Sequence, residues 1–133
     1  MSKTIGRGTW ISNHATIGKD VVIGNHVLIG DHVTIAEVAQ IDSYVQIRNH
    51  AMIGKYATIR KGSLISGNVW IGGFAAIGER AQIGSYSMIG ERAQIGKDVI
   101  IPSGATVAEK AIVPSPGFIS IICSIRACER LVK

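Results

Sequence analysis

An aliphatic side chain stands at every sixth position of the chain, without a break, from Ile5 to Val113. Seventeen of these nineteen positions are isoleucine, and only the last two, Val107 and Val113, are valine. From Ile17 onward a small or short side chain stands two residues ahead of each (Ala15, Val21, Val27, Val33, Ala39 and onward to Ala111), and the residue immediately before each aliphatic is never charged. Side chains alternate faces along a strand, so in the unit Ile29-Gly30-Asp31-His32-Val33-Thr34-Ile35 both Val33 and Ile35 point inward while Thr34 points out. The chain must then turn before the next inward pair. Glycine often follows the aliphatic residue, as at Gly18, Gly24, Gly30, Gly54, Gly72 and Gly90. The position after that collects Asn13, Asn25, Asn49, Asp31, Gly67 and Gly73, residue types that accept tight turns and positive φ. A strict period of six with two inward positions fits neither the 3.6-residue helix nor a plain two-residue alternation. It predicts an all-β solenoid in which one strand-and-turn unit is stacked many times.

The repeat fills residues 1–114 of the 133-residue chain, one domain's worth. Pro114-Ser115-Pro116-Gly117 then breaks the pattern. In the tail, residues 115–133, Ile121, Ile125, Cys128 and Val132 share one helical face, with Arg126, Glu129, Arg130 and Lys133 largely opposite. This spacing predicts a short helix capping the open end of the column. The alternative, a further coil through Ile119, Ile125 and Leu131, would turn Glu129 inward, where an unpaired charge is costly.

The period resembles that of the hexapeptide-repeat family of bacterial transferases, and the likeness covers residues 4 to about 114. The resemblance implies a left-handed parallel β-helix of triangular section, three hexapeptides to a coil, with residues eighteen apart stacked. The left-handed winding, against the usual hand of parallel connections, comes from the resemblance alone. About six uninterrupted coils make a shaft of about 30 Å at about 4.8 Å per coil. Under that stacking one face presents Trp10, Leu28, Gln46, Leu64, Gln82 and Ile100. A second presents Thr16, Thr34, Met52, Trp70, Met88 and Thr106, and the third Val22, Gln40, Thr58, Ala76, Gln94 and Ile112. Flat uncharged faces of this extent usually meet a partner, and members of the family are commonly trimers, so a homotrimer is expected.

Composition narrows the remaining classes. The formal charge is +5, but the fourteen Lys and Arg are interleaved with nine acids. The densest group, Arg48, Lys55, Arg60 and Lys61, falls around the shaft and not along one edge, so no nucleic-acid track is expected. No stretch approaches the roughly 18 apolar residues of a membrane span, and Met-Ser-Lys-Thr-Ile-Gly enters the repeat without an apolar leader. Cys123 and Cys128 form neither a Cys-x-x-Cys pair nor a zinc set. Free thiols in a reducing compartment, the cytoplasm, are the expectation.

The chemistry-bearing side chains sit in the turns. Stacking by eighteen puts His14, His32 and His50 on one edge, continued by Asn68 and Tyr86. Imidazole is the best proton acceptor near neutral pH, so these three are candidate general bases. The acyltransferases of the family use a histidine near a subunit interface in that role, with acyl-coenzyme A lying along the seam. The stretch from Ile95 to Val107 resembles the last coils of those enzymes and makes Lys97, Gly104 and Ala105 candidate contacts for the coenzyme. The family's γ-class carbonic anhydrases bind zinc through a set that includes a His-x4-His pair. Here the nearest pair, His26 and His32, is spaced by six, and rings one coil apart are too distant for three to share one ion; no metal is expected. The implied function is transfer of an acyl group from acyl-coenzyme A to an unidentified small acceptor in a groove of the trimer. A non-catalytic assembly module using the flat faces is the alternative, because the even period leaves no loop to cover an acceptor.

Overall fold

A computed structural model describes residues 4–115. They form nineteen two-residue strands, from β1 (Thr4–Ile5) to β19 (Ile112–Val113), in three parallel sheets of seven, six and six. Strands three apart in the chain are neighbours, so pairing is always between residues eighteen apart: Trp70 lies beside Met52 and Met88, and Ile71 beside Ile53 and Ile89. The result is a three-sided parallel β-helix of about six coils, and its sheets carry the three faces read from the sequence. The expected capping helix, with Cys123 and Cys128, lies outside the described residues. Among the described residues no helix is long and apolar enough to cross a membrane.

The core is one column. Ile23, Ile29, Ile35 and every further member of the series to Ile101 are essentially sealed from water, as are Val21, Val27, Ala39, Ala57 and Val99. Isoleucine and a smaller partner alternate at the inward positions because three sides converge on a narrow axis. Fully burying each isoleucine contributes about 1.5–3 kcal/mol. Ser63 and Ser87 also point inward, and each hydroxyl lies within hydrogen-bond reach of backbone carbonyls at the corners: Ser63 has those of Arg60 and Gly78, both at 2.8 Å, to share its one proton, and Ser87 donates to Pro102 at 3.0 Å. Their burial therefore leaves no polar atom unsatisfied.

Each corner is a tight turn whose third residue takes a left-handed conformation. Fourteen non-glycine residues do so, among them His32 (φ 58°), Val38 (φ 64°), His50 (φ 66°) and Arg92 (φ 62°). For L-residues this costs about 1–2 kcal/mol each, and Val38 is the least suited because its β-branch crowds the backbone. The strain is offset by the ladder between coils. At most corners this residue's N–H donates to a carbonyl of the coil below, as from His50 to Asp31 at 2.9 Å and from Phe74 to Lys55 at 3.0 Å. His14 is the exception and keeps negative φ. There Ser12 replaces the usual glycine, and its hydroxyl and carbonyl accept from the N–H groups of His14 and Ala15, both at 3.1 Å.

Candidate functional site

The three corners carry different side-chain columns. On the first, between the Trp10 and Thr16 faces, the rings of His14, His32 and His50 are stacked. Their centroids are 5.3 Å and 5.0 Å apart, with interplanar angles of 17° and 10°. The spacing is that of the strands, since each ring leaves its coil at the same point of the turn. A hydrogen-bonded spine runs beside the rings. Ser12 Oγ donates to the Asp31 carboxylate, the Asp31 N–H donates to Asn49 Oδ1 at 2.9 Å, and the Asn68 N–H donates to the Asn49 carbonyl at 3.0 Å. Gly30 belongs to this spine, because a Cβ there would collide with Asn49 Oδ1 and close the path to Asp31.

The column changes character above His50. On the next two coils the positions beside the ring column hold Gly67 and Ser85 in place of the larger Asp31 and Asn49 below. The drop in size opens a groove of about 650 Å³ lined by Arg48, Asn49, His50, Leu64, Ser66, Gly67, Asn68 and Ser85. His32 has a ring on each face. His50 has His32 on one face only, and it lines the groove. All three histidines are exposed. His50 is thus the one imidazole of the column that borders the groove. Among the described residues no group of three or more His, Cys, Asp or Glu side chains could hold a metal ion.

The coenzyme candidates separate. Gly104 and Ala105 lie on the histidine corner, three coils above His50, roughly 14 Å away at about 4.8 Å per coil. Gly104 (φ 75°) faces open space, and a Cβ there would meet nothing within 4 Å. Lys97 lies on the second corner, in a smaller groove of about 230 Å³ that it shares with Arg60, Gln94, Ile112 and Pro114. One protomer does not bring Lys97 together with Gly104 and Ala105.

Sequence reasoning did not single out Arg48, Ser66 or Ser85 as lining a site, whereas stacking by eighteen does put His26, Tyr44 and Arg80 on one of the other corners and Tyr56, Phe74 and Arg92 on the remaining one. On the second corner His26 stacks on Tyr44 at 5.2 Å, and Arg80 Nε donates to Asp98 Oδ1 at 2.9 Å, a pair that holds the guanidinium above its ordinary pKa. On the third, Tyr56 stacks on Phe74 at 4.9 Å, and the Arg92 guanidinium lies 4.8 Å from the Phe74 ring centre. The signal for the groove was present as a fall in side-chain size along one corner, from Asn49 to Gly67.

The family model described as bacterial transferase hexapeptide (six repeats) matches residues 2–37 and 74–109. No curated protein matches the chain. Among solved structures, AntD, an N-acyltransferase from Bacillus cereus bound to dTDP-4-amino-4,6-dideoxyglucose and coenzyme A, is 18% identical with a TM-score of 0.75; the match covers 82% of this chain and 74% of that one. PerB from Caulobacter crescentus, bound to CoA and GDP-perosamine, is also 18% identical, with a TM-score of 0.65 over 83% of this chain and 52% of that one. A hexapeptide transferase family protein from Anaplasma phagocytophilum is 16% identical, with a TM-score of 0.57 over 93% of this chain and 89% of that one. At these identities the likeness concerns the fold.

Proposed function

Because the chain belongs to the bacterial transferase hexapeptide family, we propose that it is an acyltransferase, taking its acyl group from acyl-coenzyme A and passing it to a small nucleophile held at the histidine corner. The observation that carries this reading is the groove above His50: an imidazole with one ring face supported by His32 and an edge open to a cavity of ligand size. In the reaction a nitrogen of His50 accepts the proton of the acceptor's amine or hydroxyl as that atom attacks the thioester carbonyl. The acyl C–N or C–O bond forms, the C–S bond breaks, and the proton returns to the departing thiolate. Coenzyme-bound neighbours of the same fold, AntD and PerB, support coenzyme A as the donor's carrier. The open surface at Gly104, on the same corner as His50, suits a pantetheine arm running down toward the groove, with Ala105 beside it packed partly against the core. Lys97 could meet that arm only from a neighbouring subunit.

A homotrimer completes the proposal. The two faces flanking the histidine corner are the more apolar ones, with Met52, Trp70 and Met88 contiguous on one and Trp10 beside Leu28 on the other. Trp70 is 38% exposed and Met88 50%, surface that a second copy would cover, making the corner a seam. Trp70→Glu is then expected to convert a trimer to monomers by sedimentation, since a buried unpaired charge at an interface is strongly disfavoured. A trimer that persists in this variant removes the face from the interface. Use of acyl-coenzyme A fits a cytoplasmic location.

One feature favours a non-catalytic assembly module instead: among residues 4–115 the coils run without an inserted loop, so water has free access to the groove. Thermal unfolding separates the two readings. Saturation with acetyl-coenzyme A at about one hundred times its dissociation constant adds about 2.7 kcal/mol, which raises the melting temperature by roughly 10 °C or more in a domain of this size. An unchanged melting temperature at millimolar coenzyme contradicts the transferase.

A further inference from the structure

We infer that Arg48 makes this groove selective for acceptors carrying an oxyanion, a phosphate or a carboxylate, and that it grips that group while the nucleophile lies against His50. The inference rests on the transferase reading of His50 and adds the class of acceptor. Arg48 and His50 belong to one turn, two residues apart, and both line the groove. Apart from the histidine, Arg48 is the only ionisable residue lining it: the others are Asn49, Leu64, Ser66, Gly67, Asn68 and Ser85, and no carboxylate faces the cation.

The guanidinium is also unspent. Among the described residues Arg80 pairs with Asp98 and Glu79, and Arg92 lies over Phe74. The Arg48 side chain makes no hydrogen bond, ion pair or ring contact with any described residue. It is exposed, so its donors face the groove's solvent at no cost until a ligand arrives. The coil above Arg48 carries Ser66 and Gly67, small enough to leave the fork room over the cavity. A planar guanidinium with paired N–H groups matches a phosphate or carboxylate edge through two parallel hydrogen bonds, which a neutral hydroxyl group cannot reproduce. The serine and asparagine side chains nearby supply further neutral donors for the same oxyanion.

The test is titration calorimetry of the full chain with pyrophosphate and, separately, citrate, alongside NMR of the histidine ring protons. Wild-type protein is expected to bind at least one of the two, with the His50 ring resonances shifting on addition. Arg48→Gln should weaken that binding at least about tenfold, with an unchanged melting temperature because the side chain is exposed. Arg92→Gln should leave it unaltered. Tighter binding of pyrophosphate assigns a phosphate-bearing acceptor, and tighter binding of citrate a carboxylate-bearing one. No binding of either anion, equal affinity in Arg48→Gln, or binding that leaves His50 unmoved overturns the inference. Acetyl-coenzyme A titrated into the same samples keeps the two ideas apart. Coenzyme binding with no Arg48-dependent anion site sinks the inference alone, whereas the reverse sinks the transferase reading and leaves the anion site standing.

Discussion

Replacing His50 with alanine is expected to lower the turnover of acyl transfer by a factor on the order of 10²–10⁴, the usual contribution of a positioned general base. The effect should fall on chemistry and not on folding. His50 is exposed, and its removal gives up one ring-on-ring contact at 5.0 Å, worth about 0.5–1.5 kcal/mol. The three histidines should also rank. His32 holds the ring of His50 from below, so His32→Ala acts by loosening that ring and costs less. His14 is two coils away from the groove, and its turn is built differently from the rest, so His14→Ala should leave turnover close to wild type. Steady-state assays of the three variants check this order. A His50→Ala enzyme that keeps wild-type turnover, or a ranking led by His14, removes the base from the mechanism.

The second large effect is on stability. Ile65→Ala, in the middle of the column, is expected to cost about 2–5 kcal/mol, the lost transfer energy plus a cavity that the neighbouring coils cannot close. Ile65 is wholly sealed, with Ile47 and Ile83 directly below and above it. The sheets hold those coils at a fixed spacing, so collapse onto the gap would break backbone hydrogen bonds such as Ser66 N–H to the Ile83 carbonyl at 3.0 Å. The same substitution at Ile5, 47% exposed on the first coil, should cost under about 1 kcal/mol, because little area is removed from water there. Chemical denaturation of both variants reads the difference. Equal losses at the two positions would mean that the shaft is not one continuous core.

The fold was legible because a solenoid repeats its constraint. An inward isoleucine every six residues leaves no other way to bury each strand, and stacking by eighteen then assigns every face and corner. The histidine column followed directly, down to a ring spacing near that of the strands. What escaped the sequence is local and concerns differences between coils. The groove exists because Gly67 and Ser85 are smaller than Asn49 and Asp31 on the same corner, and a contrast of volumes has no signature in a hydrophobic pattern. At His14 the N–H is taken by the Ser12 hydroxyl, which itself donates to the Asp31 carboxylate on the next coil, a long-range contact that periodicity does not announce. Lys97 stands with Gly104 and Ala105 because one resemblance spans the whole stretch from Ile95 to Val107. In a three-sided helix a seven-residue step moves to another corner, so adjacency along the chain misleads where adjacency by eighteen does not.

The most direct test is a crystal structure of the protein grown with coenzyme A. The account predicts three copies with parallel shafts and one coenzyme in each seam, running past Gly104 and Ala105 with its sulfur in the groove beside His50. Coenzyme bound on a different corner, or a shaft whose Met52–Trp70–Met88 face meets no other copy while the coenzyme is absent, would contradict it.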